Sequence, residues 1–251
     1  MTAPVFLADG GELADAVRSG GGTVVLEGPE GRHAVSVKRL RPGEEVVLTD
    51  GAGTGVAGTV GNVSGKDRLE VAVTSVLAEA EPRPLITVVQ ALPKGDRGEL
   101  AVEMLTETGV DRIVPWAASR CVTQWRGERG AKSLRKWQSA AREAGKQARR
   151  LRFPEVADLA TTAQVAQVLR DAGLGVVLHE EGSESLSAAE LPADGGIVLV
   201  VGPEGGVAPE ELASFAEAGA RPCRLGPTVL RTSTAGTAAT ALLMARSGRW
   251  S

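Results

Sequence analysis

The residues best suited to chemistry fall in two glycine-proline loops, Gly202-Pro203-Glu204-Gly205-Gly206 and Leu225-Gly226-Pro227-Thr228-Val229-Leu230-Arg231. Pro203 fixes its own φ, while Gly205 and Gly206 allow close approaches that a Cβ would block, so the first loop suits a backbone that cradles a ligand. Gly-Pro and Gly-Gly pairs also punctuate ordinary turns, and either loop alone is equally well read that way. Two such loops at neighbouring strand ends say more than one.

Their positions follow from the segments that flank them. The apolar, β-branched run Ile197–Val201 reads as a buried strand that stops at the first loop. Ala208-Pro209-Glu210-Glu211 then opens a helix, with proline and carboxylates where a first turn has unpaired N–H groups. A short strand from Arg221 to Leu225 leads into the second loop, followed by the small-residue segment Thr232 to Ser247. A third turn, Pro93-Lys94-Gly95-Asp96-Arg97, joins a strand to a helix with two cations and a flexible glycine. Asp96 is placed to cap that helix, and a phosphate contact or simple capping explains the turn equally well.

The formal net charge is −3, but from Arg126 to Arg152 ten basic residues stand against two acidic ones, so this segment carries +8 and the rest −11. Such a stripe can attract a phosphate backbone; a solvated helix face is the bland alternative. Two cysteines, Cys121 and Cys223, and two histidines, His33 and His179, form no paired spacing, which gives no sign of a disulfide framework or a metal site. No apolar run approaches a membrane span, and Met1 to Asp9 lacks the features of a signal peptide, so a cytoplasmic protein is expected.

The 251 residues divide by texture. Residues 1–77 read as a β-rich domain, with strands at Thr23–Glu27, Glu45–Thr49, Gly55–Val63 and Arg68–Val76 and a short basic helix from Arg32 to Arg41. Gly53-Thr54-Gly55-Val56-Ala57-Gly58 matches the dinucleotide fingerprint G-x-G-x-x-G, but the β-branched residues after it predict a hairpin rather than the required helix. Residues 78–84 form a polar, proline-containing linker. Residues 85–251 alternate strand and helix: strands Leu85–Ala91, Arg112–Trp116, Gly175–His179 and Ile197–Val201, with helices at Asp96–Thr108, about Ala131–Arg149 and Thr162–Ala172. This predicts an α/β domain with a mostly parallel sheet. Leu100, Met104 and Leu105 are expected to form the apolar face of the first of these helices.

Four motifs, in order, resemble a known family: Lys94-Gly95-Asp96-Arg97, the Ser119-Arg120 step, the arginines between Gln147 and Pro154, and the paired glycine-proline loops ending in Leu230-Arg231. They are similar to the ribosomal small-subunit methyltransferase E family, which methylates N3 of a uridine in 16S ribosomal RNA with S-adenosylmethionine. The resemblance covers nearly the whole chain. It implies an N-terminal PUA-like β-barrel that binds RNA and a C-terminal SPOUT-type domain with a trefoil knot, working as a homodimer. The cofactor would be held by Leu178, His179 and Glu180, by Gly202, Pro203, Glu204, Gly205 and Gly206, and by Leu225, Gly226, Val229 and Leu230. Arg231 would stabilise the uridine anion and Glu204 would serve as base or orient the cofactor. The RNA, free or in an assembled small subunit, would meet Arg39 and Arg41 on the first domain and Lys94, Arg97, Arg120, Arg149, Arg150 and Arg152 beyond it. No metal is required.

One departure stands out: Ser233 occupies the position where the family shows a glutamate, and a serine cannot act as a carboxylate base at neutral pH. Methylation of another ribosomal or transfer RNA nucleotide, or RNA binding without catalysis, are the competing readings. Cofactor binding separates the last from the others.

Overall fold

The structure is a computed structural model that describes residues 3–8 and 10–250; Met1, Thr2 and Asp9, part of the Met1–Asp9 stretch expected to lack signal-peptide features, and Ser251 lie outside the described residues. The chain forms two compact units, each with its own hydrophobic core.

The N-terminal unit comprises the chain up to Glu81 together with residues 145–153. Its elements are β1 (Val5–Leu7), α1 (Gly10–Ser19), β2 (Thr23–Leu26), α2 (Gly28–Arg32), β3 (Glu45–Thr49), β4 (Thr54–Ser64) and β5 (Arg68–Ala78). The sheet order is β1-β3-β4-β5-β2, with β1 parallel to β3 and the other pairs antiparallel. Phe6, Leu13, Leu26, Leu48, Val56 and Leu69 fill the interior. The Gly53–Gly58 segment enters β4 and pairs with β3 and β5, so no helix follows to receive a pyrophosphate.

Helix α1 buries Leu13 and Ala16 at one-turn spacing. One local reading changes. The helix expected from Arg32 to Arg41 starts instead at Gly28-Pro29 and continues as a π-helical turn, His33–Val37, which ends before Arg39. Pro29 supplies the start signal, and Val37 is exposed.

Residues 145–153 complete this unit. Lys146 is buried and its Nζ donates to Glu30 Oε1 at 2.8 Å, while Glu30 Oε2 accepts from the Leu7 N–H at 3.2 Å. Thr49 Oγ1 donates to the Leu151 carbonyl at 2.7 Å, and the Phe153 N–H donates to the Gly51 carbonyl at 2.8 Å. A Cβ at Gly145 would lie 2.5 Å from the Phe153 ring, so only glycine lets that ring seat. The expected basic stripe is therefore not wholly a solvated face, since one of its cations is buried in an ion pair.

Arg39 and Arg149 adopt φ values of 57° and 58°, the left-handed region in which an L side chain crowds its own backbone. Both follow a helical segment, at the position where glycine is usual. Arg149→Gly is expected to stabilise the protein by about 0.5–1 kcal/mol. Urea unfolding checks this; a lower midpoint would show that the arginine side chain is needed by the fold itself.

The C-terminal unit comprises residues 82–144 and 154–251. It contains β6 (Ile86–Ala91), α3 (Arg97–Thr108), β7 (Arg112–Trp116), α4 (Gly127–Gln147, whose last turn belongs to the N-terminal unit), β8 (Glu155–Val156), α5 (Thr162–Arg170), β9 (Leu174–Leu178), β10 (Glu184–Ser185), β11 (Ile197–Val201), α6 (Pro209–Glu217), β12 (Arg221–Arg224) and α7 (Thr232–Arg246). Its seven strands are all parallel, in the order β10-β12-β9-β11-β6-β7-β8. Every residue of β11 is buried, as a central strand of a parallel sheet covered on both faces must be. Helix α3 packs on α7, and α5 on α6. The α/β class with a parallel sheet is thus observed.

Helix α3 corrects two expectations. Its buried face is formed by Ala101, Val102 and Leu105, while Leu100 is exposed. Asp96 holds the N-cap position but its side chain makes no capping hydrogen bond. Helix α4 begins four residues before the expected Ala131 and ends before Arg149, whose left-handed backbone terminates it. The two-residue strands β8 and β10 were too short to leave a sequence pattern. Among the described residues, no helix is long and apolar enough to cross a membrane and no group of three or more His, Cys, Asp or Glu could hold a metal ion.

Candidate active site

Because the C-terminal sheet is parallel, all its strands end at the same edge, and β12, β9, β11 and β6 are consecutive neighbours there. The loops that leave them must meet, which is where open α/β sheets bind ligands. They enclose a cavity of about 570 Å³. Leu178, His179 and Glu180 line it after β9, Gly202, Pro203, Glu204 and Gly206 after β11, and the whole of Leu225–Arg231 after β12. Gly205 does not line it: a Cβ there would lie 3.2 Å from Arg120 Cβ, so this glycine serves the approach of a neighbouring loop. Gly206 has φ +74°, which turns the chain back toward α6.

A backbone amide and a guanidinium brace the first loop from outside. Glu204 Oε1 accepts from the Lys94 N–H at 3.2 Å, and Arg120 Nη1 donates to the Gly205 carbonyl at 3.1 Å. Arg97, at the start of α3, lines the cavity itself. Lys94, Arg97 and Arg120 therefore gather around residues 202–206. Arg39, Arg41, Arg149, Arg150 and Arg152 belong to the N-terminal unit. There Arg39, Arg41 and Arg149 are exposed, whereas the half-buried Arg152 donates through Nη2 to the Glu79 carbonyl at 3.2 Å.

Arg231 occupies the N-cap of α7, where its carbonyl accepts from the Thr234 and Ala235 N–H groups at 2.9 Å while its side chain stays exposed at the cavity. Val229 and Leu230 are exposed beside it, 81 % and 40 %. Ser233 is buried in the first turn of α7 and is not among the lining residues.

The sequence reading gave three supporting residues no place at the site. Glu211 is buried and accepts from the Ser119 N–H at 2.8 Å, the Thr162 hydroxyl at 3.0 Å and the Ala208 N–H at 3.1 Å, tying the Ser119-Arg120 step to the start of α6. In the sequence it is one first-turn carboxylate among two. Gln90 is a buried amide at the end of β6 that donates to the carbonyls of Ala91, at 3.1 Å, and Thr232, at 3.3 Å. A glutamine in an otherwise apolar strand was the available signal. Cys223 also lines the cavity; burial pushes its thiol pKa up, as it does that of Cys121, so both remain protonated and weakly nucleophilic at neutral pH.

Comparison with known proteins decides the family. The RNA methyltransferase domain family matches residues 80–244, and the RNA methyltransferase PUA domain family matches residues 26–74. The ribosomal RNA small subunit methyltransferase E of Mycobacterium bovis is 45 % identical over 240 residues, covering 94 % of this chain and 91 % of that protein. This chain belongs to the ribosomal RNA small subunit methyltransferase E family. The Bacillus subtilis member of the family is 30 % identical over 85 % of this chain and 86 % of its own length. Among solved structures, the Neisseria gonorrhoeae ribosomal RNA small subunit methyltransferase E bound to S-adenosylmethionine superposes with a TM-score of 0.83 at 29 % identity, covering 98 % of each chain. A methyltransferase from Legionella pneumophila, also with bound S-adenosylmethionine, superposes with a TM-score of 0.85 at 28 % identity and the same coverage. The N-terminal unit of this family member is accordingly a PUA domain and its parallel-sheet unit a methyltransferase domain.

Proposed function

We propose that this protein transfers a methyl group from S-adenosylmethionine to N3 of a uridine in 16S ribosomal RNA. The observation that carries the reading is the meeting of the loops after β9, β11 and β12 in one cavity with Arg231 at its edge. Its volume, about 570 Å³, falls within the range of pockets that enclose a ligand of cofactor size. The donor set also fits: tight turns offer backbone N–H and C=O groups for a purine edge and an amino acid moiety, Val229 and Leu230 offer an apolar wall, and Glu180 and Glu204 offer negative charge to a cation. When bound, the cofactor supplies an electrophilic methyl group on a sulfonium.

The residues of the chain must then make uridine N3 a nucleophile. N3 carries a weakly acidic proton, and its loss places negative charge on the flanking carbonyl oxygens. The Arg231 guanidinium, always protonated, meets one of those oxygens and favours the anion. Glu204 takes the N3 proton or orients the cofactor; one of its oxygens is already held by the Lys94 N–H, which fixes the carboxylate at the cavity edge. A cofactor held by the loops after β9, β11 and β12 would supply the methyl group, its sulfonium charge lost together with that of the uridine anion, so charge and atoms would balance. Fixing both reactants in line can lower the barrier by roughly 7–11 kcal/mol.

Lys94, Arg97 and Arg120 hold phosphates near the site, and Arg39, Arg41, Arg149, Arg150 and Arg152 extend the RNA surface on the PUA domain. The protein works in the cytoplasm as a homodimer, on free ribosomal RNA or the assembled small subunit, with its C-terminal segment threaded through a trefoil knot. Loss of one phosphate contact in Arg149→Gly should lower the salt slope of RNA binding by about 0.7–0.9, even though the fold gains stability. An unchanged slope would remove Arg149 from the RNA surface.

The test of the reaction is transfer of labelled methyl to small ribosomal subunits lacking the modification, followed by nucleoside analysis. Recovery of N3-methyluridine is the expected result. Label on another nucleotide would replace the substrate, and no cofactor binding would leave an RNA-binding protein without catalysis.

A further inference from the structure

A second recess, about 340 Å³, borders the same strand-to-helix turn as the main cavity. Arg97 lines the first; Gly95, Asp96 and Gly98 line the second. The neighbours Arg97 and Gly98 are one Cα step apart, about 3.8 Å. The two recesses therefore flank one turn of the chain.

The second recess is built around two indoles. Trp137 on α4 is buried against Gly98, where a Cβ would lie 2.7 Å from the indole ring, so the absence of a side chain on α3 is what lets this ring seat. Trp125 packs edge to face on Trp137, with ring centroids 5.0 Å apart and planes at 82°. Gly130 presses on the backbone of Trp125, since a Cβ there would come within 2.9 Å of it. Trp125 is thus fixed in place, yet it is only partly buried. Around it stand polar groups of both hydrogen-bonding senses, the exposed Gln124 amide and Lys136 ammonium and the Ser133 hydroxyl, together with the Asp96 carboxylate. Lys136 also sits 3.4 Å from Glu99, an exposed pair that a phosphate can compete for.

A rigid aromatic wall with a rim of amide, hydroxyl and cation matches a flat heterocycle that has donors and acceptors on its edge and a phosphate at its side. We propose that this recess receives an unstacked nucleobase of the substrate RNA, next to the methylated nucleotide, stacked on Trp125. The proposal rests on the RNA methyltransferase reading and adds to it a second point of contact that fixes which nucleotide reaches the methyl donor. Stacking tolerates any base, so the site sets register more than sequence.

The experiment removes single bases on either side of the target uridine in small-subunit RNA, assembled into reconstituted subunits, and measures affinity and methylation for wild type and Trp125→Ala. At one flanking position, loss of the base is expected to weaken wild-type binding about tenfold. Trp125→Ala should lose a similar factor with intact RNA and nothing further with that abasic RNA, because both changes remove one contact. Trp125→Phe should recover most of the loss. Ser133→Leu, which fills the recess and keeps the indole, should reproduce it, and cofactor affinity should remain that of wild type in all three. Losses that multiply at every position scanned, or wild-type RNA binding by Trp125→Ala or Ser133→Leu, overturn the proposal. Failure of the wild type to methylate intact subunits would overturn the methyltransferase reading itself, and is distinguishable because it precedes any variant.

Discussion

Arg231→Ala is expected to lower the methyl-transfer rate about 100- to 1,000-fold while cofactor affinity stays within about twofold of wild type. The large effect on rate follows from the timing of charge in the proposed reaction: a uridine would be neutral when it binds and anionic when it reacts, so a fixed cation would contribute mainly to the transition state. The small effect elsewhere follows from geometry. The cap of α7 uses the Arg231 carbonyl, which alanine retains, and the side chain is exposed, so little folding stability is lost. Arg231→Lys should recover only part of the rate, because an ammonium cannot match the planar fork of a guanidinium. Single-turnover methylation with separate calorimetry of cofactor binding checks both halves. Full rate with unchanged cofactor binding would show that the charge comes from elsewhere.

Glu211→Ala is expected to destabilise the C-terminal unit by about 3 kcal/mol and to weaken cofactor binding at least tenfold. Its buried carboxylate serves the Ser119 N–H, the Thr162 hydroxyl and the Ala208 N–H, and alanine leaves all of them without that partner. Ser119 is followed by Arg120, whose guanidinium holds the Gly205 carbonyl, so slack at Glu211 passes directly to the loop that lines the cavity. A loss of this size corresponds to a fall of roughly 6–12 °C in melting temperature. Glu211→Gln keeps the shape and one acceptor oxygen, but its NH₂ would face a donor, so an intermediate loss is expected. Thermal unfolding with and without cofactor gives both readouts; a destabilised variant with unaltered cofactor affinity would confine Glu211 to folding.

Much of the C-terminal unit was legible because its chemistry is local. Ile197–Val201 is a buried strand bounded by a Gly-Pro pair, and the strand and its loop lie where that pattern put them. The two glycine-proline loops were legible as a pair at neighbouring strand ends, while the Leu178–Glu180 turn was joined to them only by the family resemblance. What the sequence did not disclose depends on distant partners. Glu211 looks like any first-turn carboxylate until Ser119 and Thr162 are brought to it by the fold. Leu100 has helical spacing with Met104, but which stripe of α3 is buried depends on where α7 packs. The run of cations from Arg126 to Arg152 reads as one surface, yet it is divided between two cores, and Lys146 becomes an interior group because Glu30 waits for it. The spacing of Arg32 to Arg41 suggested a regular helix, but Pro29 starts it earlier and Arg39 stops it.

The contribution of residues 145–153 to the N-terminal unit has a consequence for synthesis. A chain just released as far as Glu81 has every strand of the first sheet but lacks Lys146, Leu151 and Phe153, which satisfy Glu30, Thr49 and Gly51. The PUA domain therefore cannot finish folding when its own strands emerge from the ribosome. It must wait, with the Glu30 carboxylate still in water, while residues 82–144 are translated. Order of translation and order of completion differ in this chain, and a cut at the apparent domain boundary yields an unfinished domain rather than a minimal one.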